Sequence, residues 1–555
     1  MNIGTKKLVL DIETNSKHNK IWLCVTQDVD TGETKCHTNP STLAPLVKEY
    51  DQIIGHNLIG FDAPVLRKVW NIGISTLKEA DTLILSRLLN PQLEGGHSLK
   101  SWGQRLNNAK ISFDFQDFDQ GLTEEMRLYC IQDVKLTCDL YKHLNKELNK
   151  WKEPKQSTLL EHRIASICRQ QENNGFKLDI YKAQILRATL SDRMGIIEDA
   201  VQNVFPPITK ERWSEKTGKR LKDKVTVFNL ASRKQIGERL IGLGWKPKKK
   251  TEKGQPIVDE GILDSVEIPQ AQLIAEYLML QKRVAMINSW LKHVNDKTDR
   301  VHGGIITNGA VTGRMTHRNP NMGQVPSVSK PFGKEIRSLW TVDEGSVLVG
   351  TDLAGIELRC LAHYMQDKEW QEELLSGDIH QKNADAAGIT RPQAKTLIYA
   401  TLYGAGAAKI GSIVGGGAKE GQEILARFYK NTPSLARLMS TVKTIAEKGY
   451  VPGLDGRRIL IRSEHAALNS LLQGCGAIIA KQWCIEAHKK FSELSLPVKQ
   501  VAFVHDEIQI ETKEKHGAQV AQIMCESATE AGIVLGFRCP VDAESKIGKN
   551  WFDTH

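Results

Sequence analysis

No C-x-x-C pair occurs in this 555-residue sequence; its ten cysteines are scattered at Cys24, Cys36, Cys130, Cys138, Cys168, Cys360, Cys475, Cys484, Cys525 and Cys539. That scatter excludes a zinc ribbon and gives no disulfide framework, so the thiols are expected to be reduced core residues. No apolar run reaches the length of a membrane span, and residues 1–13 pass directly into a strand rather than through a secretory leader. A cytosolic protein is therefore expected. No repeat of 20 to 50 residues is present, and the only low-complexity tract is a short lysine run. The glycine-rich stretch from Gly404 to Gly421 lacks the GK[ST] ending of a P-loop, and it reads as a flexible turn. With 40% hydrophobic and 25% charged residues the chain is an ordinary globular protein, long enough for several domains.

What is present is an uneven distribution of charge. Residues 1–150 hold 18 basic and 19 acidic side chains, so the formal excess of +10 lies downstream. Residues 206–253 alone carry 15 basic and 5 acidic groups, including Lys248, Lys249 and Lys250. A solvated loop would look the same, but such a segment also suits phosphate neutralisation, which grips DNA independently of its sequence.

Paired carboxylates carry the chemistry. Val501–Val504 and Ile508–Ile510 read as strands flanking an acidic tip, His505-Asp506-Glu507, and Val347–Thr351 reads as a strand ending on Asp352 before a helix that carries Glu357. Strand-end aspartates of this kind hold divalent ions in phosphoryl transfer. From Arg391 to Gly404 a helix is predicted, with Pro392 in its first turn and Gly404 at its end. Arg391, Lys395, Tyr399 and Tyr403 share one face of it, fit to grip a triphosphate and stack a base, although alone it would read as a solvated basic face over a tyrosine pair. Near the other end, Leu8–Thr14 is a strand whose Asp11 and Glu13 share a face. Asp62 adds a third acid, and Tyr129 and Asp133 lie one helical turn apart.

The Thr351-Asp352-Leu353 strand end with Glu357, the Arg391/Lys395/Tyr399 helix and the His505-Asp506-Glu507 turn resemble, in order, the three polymerase motifs of family A DNA polymerases. The likeness covers almost the whole chain and is nearest to the replicases of short-tailed phages. It implies an α/β multidomain protein, in which a ribonuclease H-like 3′-5′ exonuclease domain (1–150) precedes a right-hand polymerase. The expected divisions are a thumb at 151–300 with its basic tip at 206–253, a palm at 301–361 and 469–555, and fingers at 362–468.

The same resemblance implies roles. Asp352, the Leu353 carbonyl and Asp506 would hold two Mg²⁺ ions, or Mn²⁺ in substitution, with Glu507 beside them. Asp11, Glu13, Asp62 and Asp133 would hold two more, with Tyr129 orienting water. His380, Arg391 and Lys395 would meet the triphosphate of a dNTP. Glu357 and Tyr399 would bound its sugar and Tyr403 the templating base. Arg314, Gln324, Gln473 and His505, with Lys248, Lys249 and Lys250, would contact primer-template DNA. Residues 205–228 look too short for a thioredoxin-binding insertion, so that partner is not expected; a helicase-primase is a candidate partner, and a monomer in the host cytoplasm is expected. Rival readings are a single-subunit RNA polymerase, a non-catalytic DNA-binding accessory protein and a bacterial repair polymerase.

Overall fold

Residues 5–111 and 119–555 are described by the computed structural model. Along strand β1 (Lys7–Thr14), alternation divides the side chains between two cores: Leu8, Leu10 and Ile12 enter one, Val9 the other. Asp11 and Glu13 share the side of Val9, which faces the long helix Glu124–Leu148. That helix is started by Thr123, whose side chain accepts from Met126 N–H, with Glu124 and Glu125 in the first turn complementing the helix dipole. β1 is central in a five-stranded sheet of order β3-β2-β1-β4-β5, with β2 at Ile21–Asp28, β3 at Thr34–His37, β4 at Gln52–Gly55 and β5 at Glu79–Asp81. The β1, β2 and β3 pairings are antiparallel, while β4 runs parallel to both β1 and β5.

A second, four-stranded antiparallel sheet lies further along the chain. Its strand Ser346–Leu353 pairs on one side with Glu507–Lys513 and on the other with Ala543–Gly548, and Val498–Val504 lies beyond. The expected strands and the Asp506 tip are all present. Helix Ala467–Glu493 is buried over most of its circumference, with Lys481 among its buried side chains, and contributes Leu471, Ile478 and Trp483 to the core. Between these elements lie the helices from Lys368–Ser376 to Pro433–Ala446.

Gly404 to Gly421 is largely not the flexible turn expected from its composition. Helices Ala407–Ile413 and Ala418–Asn431 occupy most of it. A Cβ on Gly411 would collide with the Gly417 carbonyl, and one on Gly421 with the Ala407 carbonyl. These glycines serve close backbone approach rather than mobility.

Two compact units divide the chain: residues 1–175, 303–324 and 342–555 form one, and residues 176–302 with 325–341 the other. Helix Pro154–Asn174 was expected to open the thumb, yet its Leu160, Ile164 and Cys168 are buried in the core that also holds Ile478 and Trp483. The second unit packs helix Ile180–Val204 on Pro269–His293. Trp290 and Trp340 meet edge to face in it at 4.9 Å, and strand Trp340–Thr341 pairs with Phe176–Leu178. Between its helices an exposed hairpin, Ile208–Trp213 with Arg220–Thr226, carries much of the basic charge.

The ten cysteines are free and eight are buried; Cys36 is exposed and Cys525 half-buried, departing from the expectation of an all-core set. Among the described residues no helix is long and apolar enough to cross a membrane.

Candidate active sites

In the N-terminal sheet, Asp11 and Glu13 converge with residues from two helices. Asp62 is the first residue of helix Asp62–Trp70, and its Oδ1 accepts from Ile12 N–H at 3.2 Å. Asp81 builds the turn that delivers it, accepting from the N–H groups of Asn57 at 2.9 Å and Ile59 at 3.1 Å. Tyr129 and Asp133 descend from helix Glu124–Leu148. One ligand atom each from Asp11, Glu13 and Cys130 lies within 4.8 Å of the others, close enough to share an ion. Lys110 Nζ is 2.6 Å from Asp133 Oδ2 and 4.6 Å from the Tyr129 ring centre.

Burial dominates the electrostatics of this cluster. It pushes Asp11 up to about 7, with Asp133 adding to the effect, and Glu13 up to about 9, with Asp11 and Asp133 adding. Asp62 and Asp133 are also raised, first by burial; Lys110 opposes the rise at Asp133. Tyr129 is pushed up to about 12, again by burial. Crowded oxygen donors that resist ionisation together fit a hard divalent cation, which would relieve both repulsion and desolvation. All five residues predicted for this site therefore come together. Lys110 and Cys130 escaped sequence reasoning, since Lys110 follows helix Leu99–Arg105 without a periodic signal and Cys130 read only as core; its position between Tyr129 and Asp133 was the available clue.

At the second sheet, Asp352 and Asp506 end neighbouring strands. Asp352 is exposed, and the next residue, Leu353, donates its N–H to the Asp506 carbonyl at 3.1 Å. Burial raises the Asp506 carboxyl. Glu507, opposite Asp352 in the strand register, is buried, whereas Asp352 is exposed and Asp506 half-buried. Its Oε1 accepts from Gln509 Nε2 at 2.8 Å, from His555 Nε2 at 3.1 Å and from the Trp551 indole N–H.

Helix Arg391–Leu402 presents the basic and aromatic face expected of it. A capping box between Thr390 and Gln393 starts it, and Gly404 follows its end at φ +72°. Arg391 Nε donates to Asp378 Oδ2 at 2.6 Å. His380 is lowered first by burial and then by the charges of Lys395 and Arg391, and its buried Nδ1 has no partner. Tyr403 donates its hydroxyl to Glu357 Oε1 at 2.9 Å, and Arg314 Nη2 lies 3.6 Å from the same oxygen. Tyr399 packs half-buried beside them, raised by burial and then by Glu357.

The other DNA-contact candidates distribute differently. Gln473 sits on helix Ala467–Glu493, and His505 stands exposed at φ +60° beside Asp506. Arg314 lies close enough to act electrostatically on both His505 and Asp506. Gln324 closes a short 3-10 turn at Met322–Gln324. Lys248, Lys249 and Lys250 belong to the other compact unit, where Lys248 and Lys249 line a cavity of about 550 Å³ with Trp245.

Known proteins share this architecture. A family model described as DNA polymerase family A matches residues 209–553, and one described as 3′-5′ exonuclease matches residues 11–149. The DNA-directed DNA polymerase of Escherichia phage T7 is 32% identical, over 91% of this chain and 92% of its own length. That of Enterobacteria phage T3 is also 32% identical, over 99% and 100%. DNA polymerase I of Aquifex aeolicus is 26% identical over 90% of this chain and 88% of its own. Among solved structures, the POL domain of Pol1 from M. smegmatis, in complex with DNA primer-template and dNTP, has the same fold with a TM-score of 0.80. It covers 99% of this chain and 96% of its own at 19% identity. The chain thus belongs to DNA polymerase family A and is a DNA-directed DNA polymerase with a 3′-5′ exonuclease domain.

Proposed function

We propose that this polymerase replicates a phage genome by two-metal phosphoryl transfer and that its exonuclease domain removes misincorporated residues by related chemistry. The observation that carries the reading is the meeting of the Asp352 and Asp506 strand ends, joined through the Leu353 N–H. Asp352, Asp506 and the Leu353 carbonyl would hold Mg²⁺ in one site; Asp11, Glu13, Asp62 and Asp133 would hold it in the other. Bound in pairs, such ions supply Lewis acidity at the attacking and leaving oxygens.

The chain's own groups divide the remaining work. Arg391 leaves Asp378 to meet the triphosphate, beside Lys395 and His380, and Lys395 protonates the departing pyrophosphate. Glu357, held between Arg314 and Tyr403, lies beneath the incoming sugar and excludes a 2′-hydroxyl, with Tyr399 packed against it and Tyr403 near the templating base. Arg314 and Gln473 probe minor-groove acceptors that all correct pairs share, which checks shape without reading sequence. Gln324 and His505 contact the DNA strands nearby, and Lys248, Lys249 and Lys250 bind backbone phosphates. Glu507 braces the Asp506 turn rather than holding metal, because its carboxylate is engaged by Gln509, Trp551 and His555. In the editing site Tyr129 orients the attacking water.

Identity of 32% to two phage enzymes over nearly their full length, against 26% to the DNA polymerase I of Aquifex aeolicus, favours replication over repair. Work in the host cytoplasm as a monomer follows from this reading, with helicase-primase as a candidate partner. Thioredoxin is not among the partners proposed; the chain between Val204 and Phe228 is a short hairpin, Ile208–Trp213 with Arg220–Thr226. Primer extension with Mg²⁺ tests the proposal: dNTPs should support synthesis and NTPs should not. Extension that persists in excess chelator, or in Asp352→Ala, would sink it.

A further inference from the structure

Outside both carboxylate sites, four charged side chains are buried together: Glu161 from helix Pro154–Asn174, Lys481 from helix Ala467–Glu493, and Asp455 and Arg457 from the turn between Tyr450–Pro452 and Arg458–Leu460. Glu161 Oε1 accepts from Lys481 Nζ at 2.5 Å and from Arg457 Nη1 at 2.7 Å. Asp455 takes the rest of the guanidinium, from Nε at 2.9 Å and Nη2 at 2.6 Å. Glu161 Oε2 is left buried without a partner. Apolar residues of similar volume would usually stabilise a core as well as or better than such a quartet, so stability alone is a weak reason for it.

What the quartet touches supplies a stronger one. Lys481 Nζ also donates to the Gly313 carbonyl at 2.7 Å. Gly313 has φ +77°, and a Cβ there would stand 2.8 Å from Arg457 Nη1, so the turn rests directly on the buried charges. Its own bonds are Gly313 N–H to Ala310 O at 2.8 Å and Ala310 N–H to Arg314 O at 3.1 Å. Gly474, next to Gln473, lets the same turn approach its helix: a Cβ there would stand 3.3 Å from Thr312 O. Arg314 leaves this turn and reaches Glu357. Its backbone is anchored from below and its guanidinium steadied at the tip.

We propose that Glu161, Arg457 and Lys481 are positioning residues for base-pair discrimination, holding the Gly313 carbonyl and through it the height at which Arg314 meets the primer terminus. A mispair displaces the minor-groove acceptors, and only a donor fixed in place registers the displacement. This inference rests on the assignment of Arg314 as a minor-groove contact made under Proposed function.

The test compares extension from matched and mismatched primer ends in the full-length enzyme bearing Arg314→Ala, Lys481→Met, or both. Because Lys481→Met removes a buried cation and risks misfolding, Gly313→Ala is a second probe that disturbs the same turn without deleting charge. Each fold is checked by thermal unfolding and by exonuclease activity on single-stranded DNA. Arg314→Ala should reduce the matched-to-mismatched ratio by about tenfold, the size of one lost transition-state hydrogen bond. Lys481→Met and Gly313→Ala should do likewise, and the double variant should be no worse than Arg314→Ala. If Arg314→Ala lowers the ratio while a folded Lys481→Met, or Gly313→Ala where the former misfolds, keeps the wild-type value, the positioning role is overturned. Additive losses overturn it as well. Wild-type discrimination in Arg314→Ala overturns the assignment of Arg314 itself, and the inference with it.

Discussion

Asp11 and Glu13 are costly to the protein that carries them without a cation. Their carboxyls titrate higher in the folded chain than in the unfolded one, so folded molecules retain protons that unfolded molecules have lost. Metal-free stability should therefore fall as pH rises from about 4 through 9, and Asp11→Asn with Glu13→Gln should be more stable than the parent at pH 8 by about 1–3 kcal/mol. Thermal melts in chelator across that range measure this, and a parent whose melting point holds or rises with pH would contradict it. The same double variant should lose exonuclease activity and keep synthesis, whereas Asp352→Ala or Asp506→Ala should do the reverse in paired extension and degradation assays. From the family resemblance, Tyr399 should let the site accept dideoxynucleotides; Tyr399→Phe should then raise discrimination against them in chain-termination assays. The placement of these carboxylates was legible in the sequence: strand alternation put Asp11 and Glu13 on one face, and apolar runs ending on acids marked Asp352 and Asp506 as strand ends. Lys110 and the indole that ties Glu507 were not legible, since each arrives from a segment whose own periodicity says nothing about the site, and Cys130 read only as core although it shares the helix of Tyr129 and Asp133.

Strands and long helices were the readily predicted elements. Val501–Val504 and Ile508–Ile510 were placed within the observed strands because apolar runs and an acidic tip mark a hairpin. The glycine-rich segment failed for a stated reason: composition reports how freely a backbone can move when isolated, while Gly411 and Gly421 are small because another backbone passes against them. Substituting alanine at either should cost about 1–3 kcal/mol or more by overpacking. Denaturant unfolding would measure that loss, and a flexible turn would instead tolerate the change. The helix from Pro154 was assigned to the wrong neighbour by sequence order, as its apolar spacing predicts a buried face but not what buries it.

At the scale of the whole molecule, charge is partitioned between units. The basic segment lies in the unit of residues 176–302 and 325–341, whereas the carboxylate sites lie in the other. Replacing Lys248, Lys249 and Lys250 by alanine should weaken binding to any duplex and flatten the dependence of log Kd on log salt by about 2 to 3, near 0.9 per lost phosphate contact. An unchanged slope would show that those lysines are solvated instead. Strand pairing differs equally between the two catalytic parts. The N-terminal sheet closes within residues 7–81, but Thr351 pairs with Ile508 on one side and Ser545 on the other. On a ribosome, therefore, every strand of the N-terminal sheet has been made once residue 81 is added, whereas the sheet around Thr351 waits for the partner strand at residues 543–548.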